Sequence, residues 1–561
     1  MKRKEFSPKR KDRIKIVRGI LEGIILIGLL VLAIKSIFTL SEYTPYEYNS
    51  INSGEDNGFI TISYFGVDRN GTNTLISTDA LENQLKALKE NGYVTITQQD
   101  VLDYYNEGKK LPPKALLLLF EDGRVDTAIF SEKIMEKYNF KATMLTYADK
   151  LSKKDSKLLK GKDLKKLVDS TYWELGTNGY RLEYINVFDN DDNYLGELTT
   201  DEFIKASNTI KRKYNHYLMD YIRDENSIPK ETYSEMKSRI EYDYTKLHEI
   251  YNDEIGTSPN LYALMNSNAG KFGINDKVSD INEMCIKKLF TMNINREGSS
   301  LNTQDNSIYD LTRIQPQAYW STNHLLMKIF DDTKNSMDFV IGNEEKAKDF
   351  EIINGEVEFK DDTIILTSLP EYKGTIKLKD SEDCKDVNLS VELNGNIIGS
   401  QAIYLRASED LKSNLKFRII NNIIEVTESI NGKEELLYSK DLSGDRDIKD
   451  INISEPGSKK VNLQLSDNML NVTLDGEVIV QGLEVNSREG GSILLESSWG
   501  EDVDSEIKPS DNIYDGIFKN LKVTSLDNTV IYDSSLKGFE LIKYNGKKYL
   551  MNVINWFITN L

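Results

Sequence analysis

Two adjacent carboxylates, Glu121 and Asp122, follow an unbroken apolar run, Ala115 to Phe120, and precede Gly123. The run reads as a fully buried strand that ends abruptly in a turn. Neighbouring acids at such a point are costly to bury unless they serve a ligand or a partner. Their chemistry would be that of a general acid/base pair, or of a nucleophile and an acid as in glycosidases. Side chains alternate along a strand, so the two need not share a face. The structural alternative has Asp122 capping the turn and Glu121 pairing with Arg124 or Arg313.

Further along, Trp173, Glu174, Asn178, Tyr180 and Arg181 form a second group, whose aromatic faces and amide suit hydroxylated rings. A packed strand and turn explains that group equally well. Arg313 ends a candidate strand, with Trp320 and His324 beyond it. His324 is the best candidate for a catalytic acid among only three histidines, while His216 and His248 fall in charged stretches and read as surface residues.

The elements that must position these groups alternate between strand and helix. Phe59–Tyr64 is a strand and Asp79–Asn91 an amphipathic helix capped by Thr78 or Asp79. Tyr93–Ile96 and Leu116–Phe120 are strands, with a helix over 100–107 between them. Thr127–Tyr138 is a helix and Ala142–Thr146 a strand. Residues 199–256 read as mostly helical. Strands follow at Pro259–Met265, Lys288–Asn293 and Asp310–Gln315, then a helix at Asn323–Phe330. This alternation predicts a parallel sheet or barrel, whose strand carboxyl ends carry the site.

From about residue 335 the pattern changes to short strands such as Val387–Leu393, Ala402–Arg406 and Ile517–Val523. Asn394-Gly395, Asn431-Gly432 and Asp475-Gly476 read as hairpin turns between them. This half is an all-β sandwich.

The stretch "ALLLLFEDG" resembles the Thr-Phe-Asp-Asp-Gly signature of NodB-type polysaccharide deacetylases. The resemblance runs over about residues 58–330, through Tyr64, "LENQLKALKENGY", "ATMLTY", "WELGTNGY", "LYALMNSNAGKFG" and "YDLTRIQPQAYW". It implies a distorted (β/α) barrel of the deacetylase type with seven strands, a base at Glu121 and a metal ligand at Asp122. It also implies two metal-binding histidines, but Asn178 and Leu182 stand in their places. Phe65 replaces the histidine after the first strand, and Leu264–Asn268 replaces an Arg-Pro-Tyr loop, with Asn268 a ligand-contact candidate. Asp122 is the only metal ligand carried over. A zinc site is therefore incomplete and no cofactor is expected, although magnesium or calcium would tolerate carboxylate, amide and water. The second half resembles concanavalin- or laminin-G-like jelly rolls, which often bind carbohydrate.

The chain has 561 residues, 39% hydrophobic and 29% charged, as suits two or three globular domains. The first eighteen residues hold nine Lys/Arg and two acids, a net of +7, so the remainder carries −26 of the total −19. Such acidity excludes nucleic acid as a partner. Residues 19–40 form an apolar run long enough to span a bilayer, with the basic tail (1–18) on the cytoplasmic side. A cleaved signal peptide is the rival reading, but no small-x-small site follows.

The expected order is thus tail, transmembrane helix, stem (41–57), barrel (58–335), β-sandwich (336–536) and a C-terminal segment (537–561) whose last stretch, 547–561, is expected to dock on a domain. Cys285 and Cys384 fall in different domains, so no disulfide is expected. The expected function is a membrane-anchored, extracellular polysaccharide deacetylase-like hydrolase acting on a cell-surface or exported polymer. The alternative is a catalytically inactive glycan-binding or scaffold protein among other membrane proteins of a polysaccharide synthesis or export machinery. The expected substrate contacts are Tyr64, Trp173, Glu174, Asn178, Tyr180, Arg181, Asn268, Arg313 and Trp320. Glu121, Asp122 and His324 are the expected catalytic groups.

Overall fold

The computed structural model describes residues 15–24, 26–28, 41–47, 58–207, 209–211, 215–263, 275–444, 446, 451–500 and 511–560. Two compact units are distinguished: residues 1–53, 94–112 and 120–292, and residues 54–93, 113–119 and 293–561. Asn268 and most of the expected span at 19–40 lie outside the described residues. Among those described, no helix is long and apolar enough to cross a membrane.

Nine strands make a nearly closed, barrel-like sheet: β1 (Phe59–Tyr64), β2 (Val94–Thr95), β3 (Ala115–Phe120), β4 (Ala142–Tyr147), β5 (Trp173–Gly179), β6 (Leu261–Tyr262), β7 (Met292–Glu297), β8 (Leu301–Asn302) and β9 (Leu311–Arg313). In the first unit β4, β5 and β6 pair in parallel. In the second, β7 pairs in parallel with β9, and Ile62 of β1 bridges to Ile314 just past β9. Every side chain of β1, β3 and β4 is buried, which in β3 (ALLLLF) shows as an unbroken apolar run instead of an alternation.

Among the described residues, the helices of ten or more residues between the strands are α1 (Thr78–Glu90), α2 (Gln98–Glu107), α3 (Val125–Tyr138), α4 (Tyr233–Glu254), α5 (Asp276–Leu289) and α6 (Thr322–Thr333). The cap of α1 is Ser77, whose hydroxyl accepts from Ala80 N–H, and not Thr78 or Asp79. Lys288 belongs to α5, so the expected strand at 288–293 begins only at Met292. Of residues 199–256, expected to be mostly helical, Thr200–Ala206 and Tyr233–Glu254 are helices, whereas Asn215–His216 joins Glu183–Phe188 and Tyr194–Thr199 in a three-stranded sheet. His216 is buried there, against the surface position expected. Residues 41–47 carry no regular structure, yet Ser41 and Tyr43 hydrogen-bond to Tyr172 and Thr95.

The second half is the expected sandwich. Its fifteen strands run from β10 (Phe350–Asn354) through β11 (Glu356–Lys360), β12 (Thr363–Thr367), β13 (Lys373–Leu378), β14 (Val387–Asn396), β15 (Ser400–Ala407), β16 (Asn414–Ile420), β17 (Ile423–Ile430), β18 (Lys433–Asp441), β19 (Pro456–Ser466), β20 (Met469–Leu474), β21 (Glu477–Glu484), β22 (Ser492–Ser498) and β23 (Asp515–Thr524) to β24 (Val530–Asp533). One sheet has the order β10-β13-β22-β15-β16-β17-β18, the other β11-β12-β23-β14-β19-β20-β21 with β24 on β23. Between them lies one apolar core, including Phe359, Ile376, Leu389, Phe417, Leu463 and Phe518.

Asn431-Gly432 and Asp475-Gly476 are left-handed turn pairs, as expected. Asn394-Gly395 is not a turn but lies inside β14. Its glycine has another cause, since a Cβ there would sit 2.5 Å from the Tyr514 hydroxyl.

The last helix is α7 (Gly538–Asn560), and the side chains of 551–560, on which the expected docking falls, lie outside the described residues. In its first turns Phe539 and Ile542 are 79% and 68% exposed. Both cysteines are free.

Candidate functional site

The site is built where β3 stops. Phe120 is the last strand residue, and Asp122 (φ 63°) and Gly123 (φ 59°) both turn left-handed. Gly123 N–H donates to the Glu121 carbonyl at 2.9 Å, closing the turn tightly. A Cβ on Gly123 would come within 2.4 Å of Thr146 Cγ2, so position 123 needs glycine for both conformation and space. Glu121 is fully buried, whereas Asp122 is half-buried.

Asn178, near the carboxyl end of β5, fixes this turn. Its Oδ1 accepts from Asp122 N–H at 3.3 Å and its Nδ2 donates to the Ala263 carbonyl at 2.9 Å. One buried amide thus ties the acid turn to the end of β6. Both its polar atoms are engaged with backbone, so it is not poised as a metal ligand. Leu182 and Phe65 carry no donor atom. The residues present do not fit a two-histidine zinc site.

Burial first, and then the neighbouring Glu121 charge, raise the Asp122 carboxyl to about 7 against the opposing pull of Lys150 and Arg124. Tyr147, the last residue of β4, feels both acids. Its phenol is raised well above the usual range by burial and then by Asp122 and Glu121. The hydroxyl is buried and has no hydrogen-bond partner among the described residues. Sequence reading passed over Tyr147, although its place at the carboxyl end of a barrel strand, closing "ATMLTY", was the available signal. Next to it, Thr146 Oγ1 and the Tyr251 hydroxyl share a hydrogen bond at 2.5 Å, which buttresses the strand end.

The other candidates are placed elsewhere. Trp173 and Glu174 begin β5, roughly 16 Å and 13 Å along the strand from Asn178 at ~3.3 Å per residue. Trp173 is buried, and its Nε1–H donates to Glu132 at 2.8 Å. Glu174 accepts from Gln98 N–H at 3.0 Å. These two are not brought to Asp122. Tyr180 packs edge-on to Tyr242, and its carbonyl accepts from Asp149 N–H. Arg181 pairs with Glu183 at 2.7 Å and with buried Asp243 at 3.2 Å, and lies 4.4 Å above the Tyr217 ring.

In the second unit, Tyr64 donates to Gln84 at 2.8 Å, and buried Arg313 pairs with Glu297 at 3.1 Å. Trp320 stacks on His324, ring centroids 4.4 Å apart. His324 is fully enclosed between two buried carboxylates of the sandwich, Asp511 and Asp515, each at 3.1 Å. Burial alone would lower its pKa, but the two aspartates prevail and raise it to about 9. His324 is thus held as an imidazolium joining α6 to β23, engaged at both ring nitrogens.

No family model matches the chain. A curated relative, the poly-β-1,6-N-acetyl-D-glucosamine N-deacetylase of Escherichia coli (strain K12), is 36% identical over 70 residues. The match covers 12% of this chain and 10% of that protein, so the chain spans about a tenth of the length of that relative. Among solved structures, the de-N-acetylase from Aggregatibacter actinomycetemcomitans aligns over 48% of this chain and 98% of its own, at 16% identity and a TM-score of 0.37. IcaB from Ammonifex degensii aligns over 46% and 92%, at 15% identity and a TM-score of 0.33. The carbohydrate-binding module CBM66 from Bacillus subtilis aligns over 32% and 96%, at 14% identity and a TM-score of 0.24.

The chain is similar to polysaccharide deacetylases. At the place where the resemblance implies a first metal-binding histidine stands Asn178, both of whose polar side-chain atoms are held by backbone groups.

Proposed function

We propose that this protein is a carbohydrate hydrolase of the deacetylase-like type, acting on a cell-surface or exported polysaccharide. The observation that carries the reading is the carboxyl of Asp122, half-buried in the turn that ends β3 and titrating near neutrality beside a wholly buried acid. A group with a pKa near 7 serves as base and acid in turn. Asp122 takes a proton from the attacking water and returns it to the leaving amine, while Glu121 keeps its affinity for that proton high. The Tyr147 hydroxyl supplies a hydrogen bond to the oxygen on which charge develops. No step is routed through a metal. Cleavage of a glycosidic bond would use the same pair.

The reading is tested by following acetate release from poly-β-1,6-N-acetylglucosamine and identifying products by mass spectrometry. Acetate that disappears in Asp122→Asn supports deacetylation, shortened chains without acetate would move the proposal to glycosidic cleavage, and no product of either kind would refute catalysis.

The engagement of Asn178 favours a second reading, a catalytically inactive glycan-binding or scaffold protein of a polysaccharide assembly or export system. In either case the basic tail and the apolar residues 19–40 support a single-pass anchor with the N-terminus cytoplasmic and the bulk of the chain outside.

A further inference from the structure

Strand alternation in the sandwich decides which residues leave the core. Ile376, Ile403, Leu405, Leu415, Phe417, Ile493 and Leu495 point inward. Lys373, Tyr404, Lys416, Arg418 and Glu496 have the opposite parity and share the outer face of the seven-stranded sheet. A cleft of about 820 Å³ opens on that face. This falls within the roughly 300–1,000 Å³ of small-ligand sites.

Its floor is polar and internally neutralised. Lys373 meets Glu496 at 2.7 Å, Lys416 meets Glu434 at 3.2 Å, Arg418 meets Glu425 at 2.6 Å and Lys412 meets Asp410 at 3.2 Å. The Tyr404 hydroxyl donates to the same Glu496 oxygen that Lys373 holds, at 3.0 Å. The other Glu496 oxygen makes no hydrogen bond among the described residues, and Glu496 lines the cleft. Two aromatic rings border the floor: Tyr372, 54% exposed, and Trp499, whose buried Nε1–H has no hydrogen-bond partner among the described residues.

We propose that this cleft binds an uncharged saccharide. Sugar hydroxyls donate to and accept from paired carboxylates and ammonium groups without breaking the pairs, and pyranose faces stack on Tyr372 and Trp499. An anionic polymer would have to draw a cation out of an existing pair. A free-amine polymer would have to draw out a carboxylate, and in either case a partner is left unpaired in a partly buried place. Joined to the deacetylase reading, on which this last step rests, the cleft holds acetylated substrate and lets the cationic product go.

Binding is measured by calorimetry on the full chain carrying Asp122→Asn, so that no turnover intervenes. The probes are the β-1,6-linked N-acetylglucosamine hexamer, the corresponding glucosamine hexamer and polygalacturonate. The expected result is saturable binding of the acetylated hexamer, weakened about five- to tenfold by Tyr372→Ala and also weakened by Glu496→Gln, with little or no binding of the charged probes. Tyr372 is exposed, so its variant keeps the fold, which an unchanged melting temperature verifies. Binding of a charged probe as tight as that of the acetylated hexamer, no binding of the acetylated hexamer, or affinity unmoved by Tyr372→Ala overturns the proposal. Acetate release is scored separately, so failure of the cleft and failure of the barrel chemistry are told apart.

Discussion

Replacing Asp122 by Asn should stabilise the protein at neutral pH while removing its chemistry. The ordinary carboxyl titrates near 3.8, and in the folded chain Asp122 titrates at about 7. Between these values the folded state holds a proton that the unfolded state has released. Stability therefore falls as pH rises from about 4 to about 7, and the full penalty remains above 7. The interval is roughly three pH units, and at about 1.4 kcal/mol per unit its ceiling is about 4 kcal/mol. Asp122 is partly solvent-exposed, and water screening cuts this to roughly 1–3 kcal/mol. Asparagine carries no charge and tolerates φ 63° as well as aspartate does, so the substitution changes ionisation and not backbone strain. Urea unfolding of both proteins from pH 4 to pH 8 is the assay. The stability difference should be near zero at pH 4, grow through the interval and level off above 7. A difference independent of pH, or a variant less stable at pH 8, would refute the reasoning that Asp122 is ionised at a cost beside Glu121.

Gly123→Ala forces a Cβ to 2.4 Å from Thr146 Cγ2 at a left-handed position, and should cost roughly 2 kcal/mol or more in thermal or urea unfolding. Asn178→Ala frees the Asp122 N–H and the Ala263 carbonyl inside the fold, and should cost about 2–3 kcal/mol by the same measurement. His324 has a folded pKa raised from 6.5 to about 9, so its stabilisation is whole below 6.5 and is lost as pH rises through about 9. Unfolding of wild type and His324→Gln at pH 6 and pH 10 should show the advantage of the histidine shrinking by up to about 3 kcal/mol.

The barrel was legible because buried parallel strands write themselves as apolar runs. "ALLLLF" and "ATMLTY" become β3 and β4 with every side chain inside. The acid turn was legible for the same reason, since charge breaking such a run marks its end. The setting of His324 was not, because its partners Asp511 and Asp515 lie 187 and 191 residues away and no local pattern joins them. Trp173 and Asn178 looked like neighbours in sequence, but an extended strand carries them to opposite ends. Asn394-Gly395 carried the composition of a turn, yet its glycine answers to the ring of Tyr514 packed across it. Tyr147 gave only a positional signal, visible once the strand end is recognised as the working end. The apolar pattern of the last stretch was legible as helix, and it lies in α7, which begins earlier, at Gly538.

The central claim is that chemistry resides at Glu121 and Asp122. Its most direct test is acetate release from poly-β-1,6-N-acetylglucosamine by the purified chain beside its Asp122→Asn variant, with unfolding followed in parallel. The account predicts release by the wild type and none by a variant that is folded and at least as stable at pH 7.5. Equal release by both proteins, or neither acetate nor shortened chains from either, would contradict it.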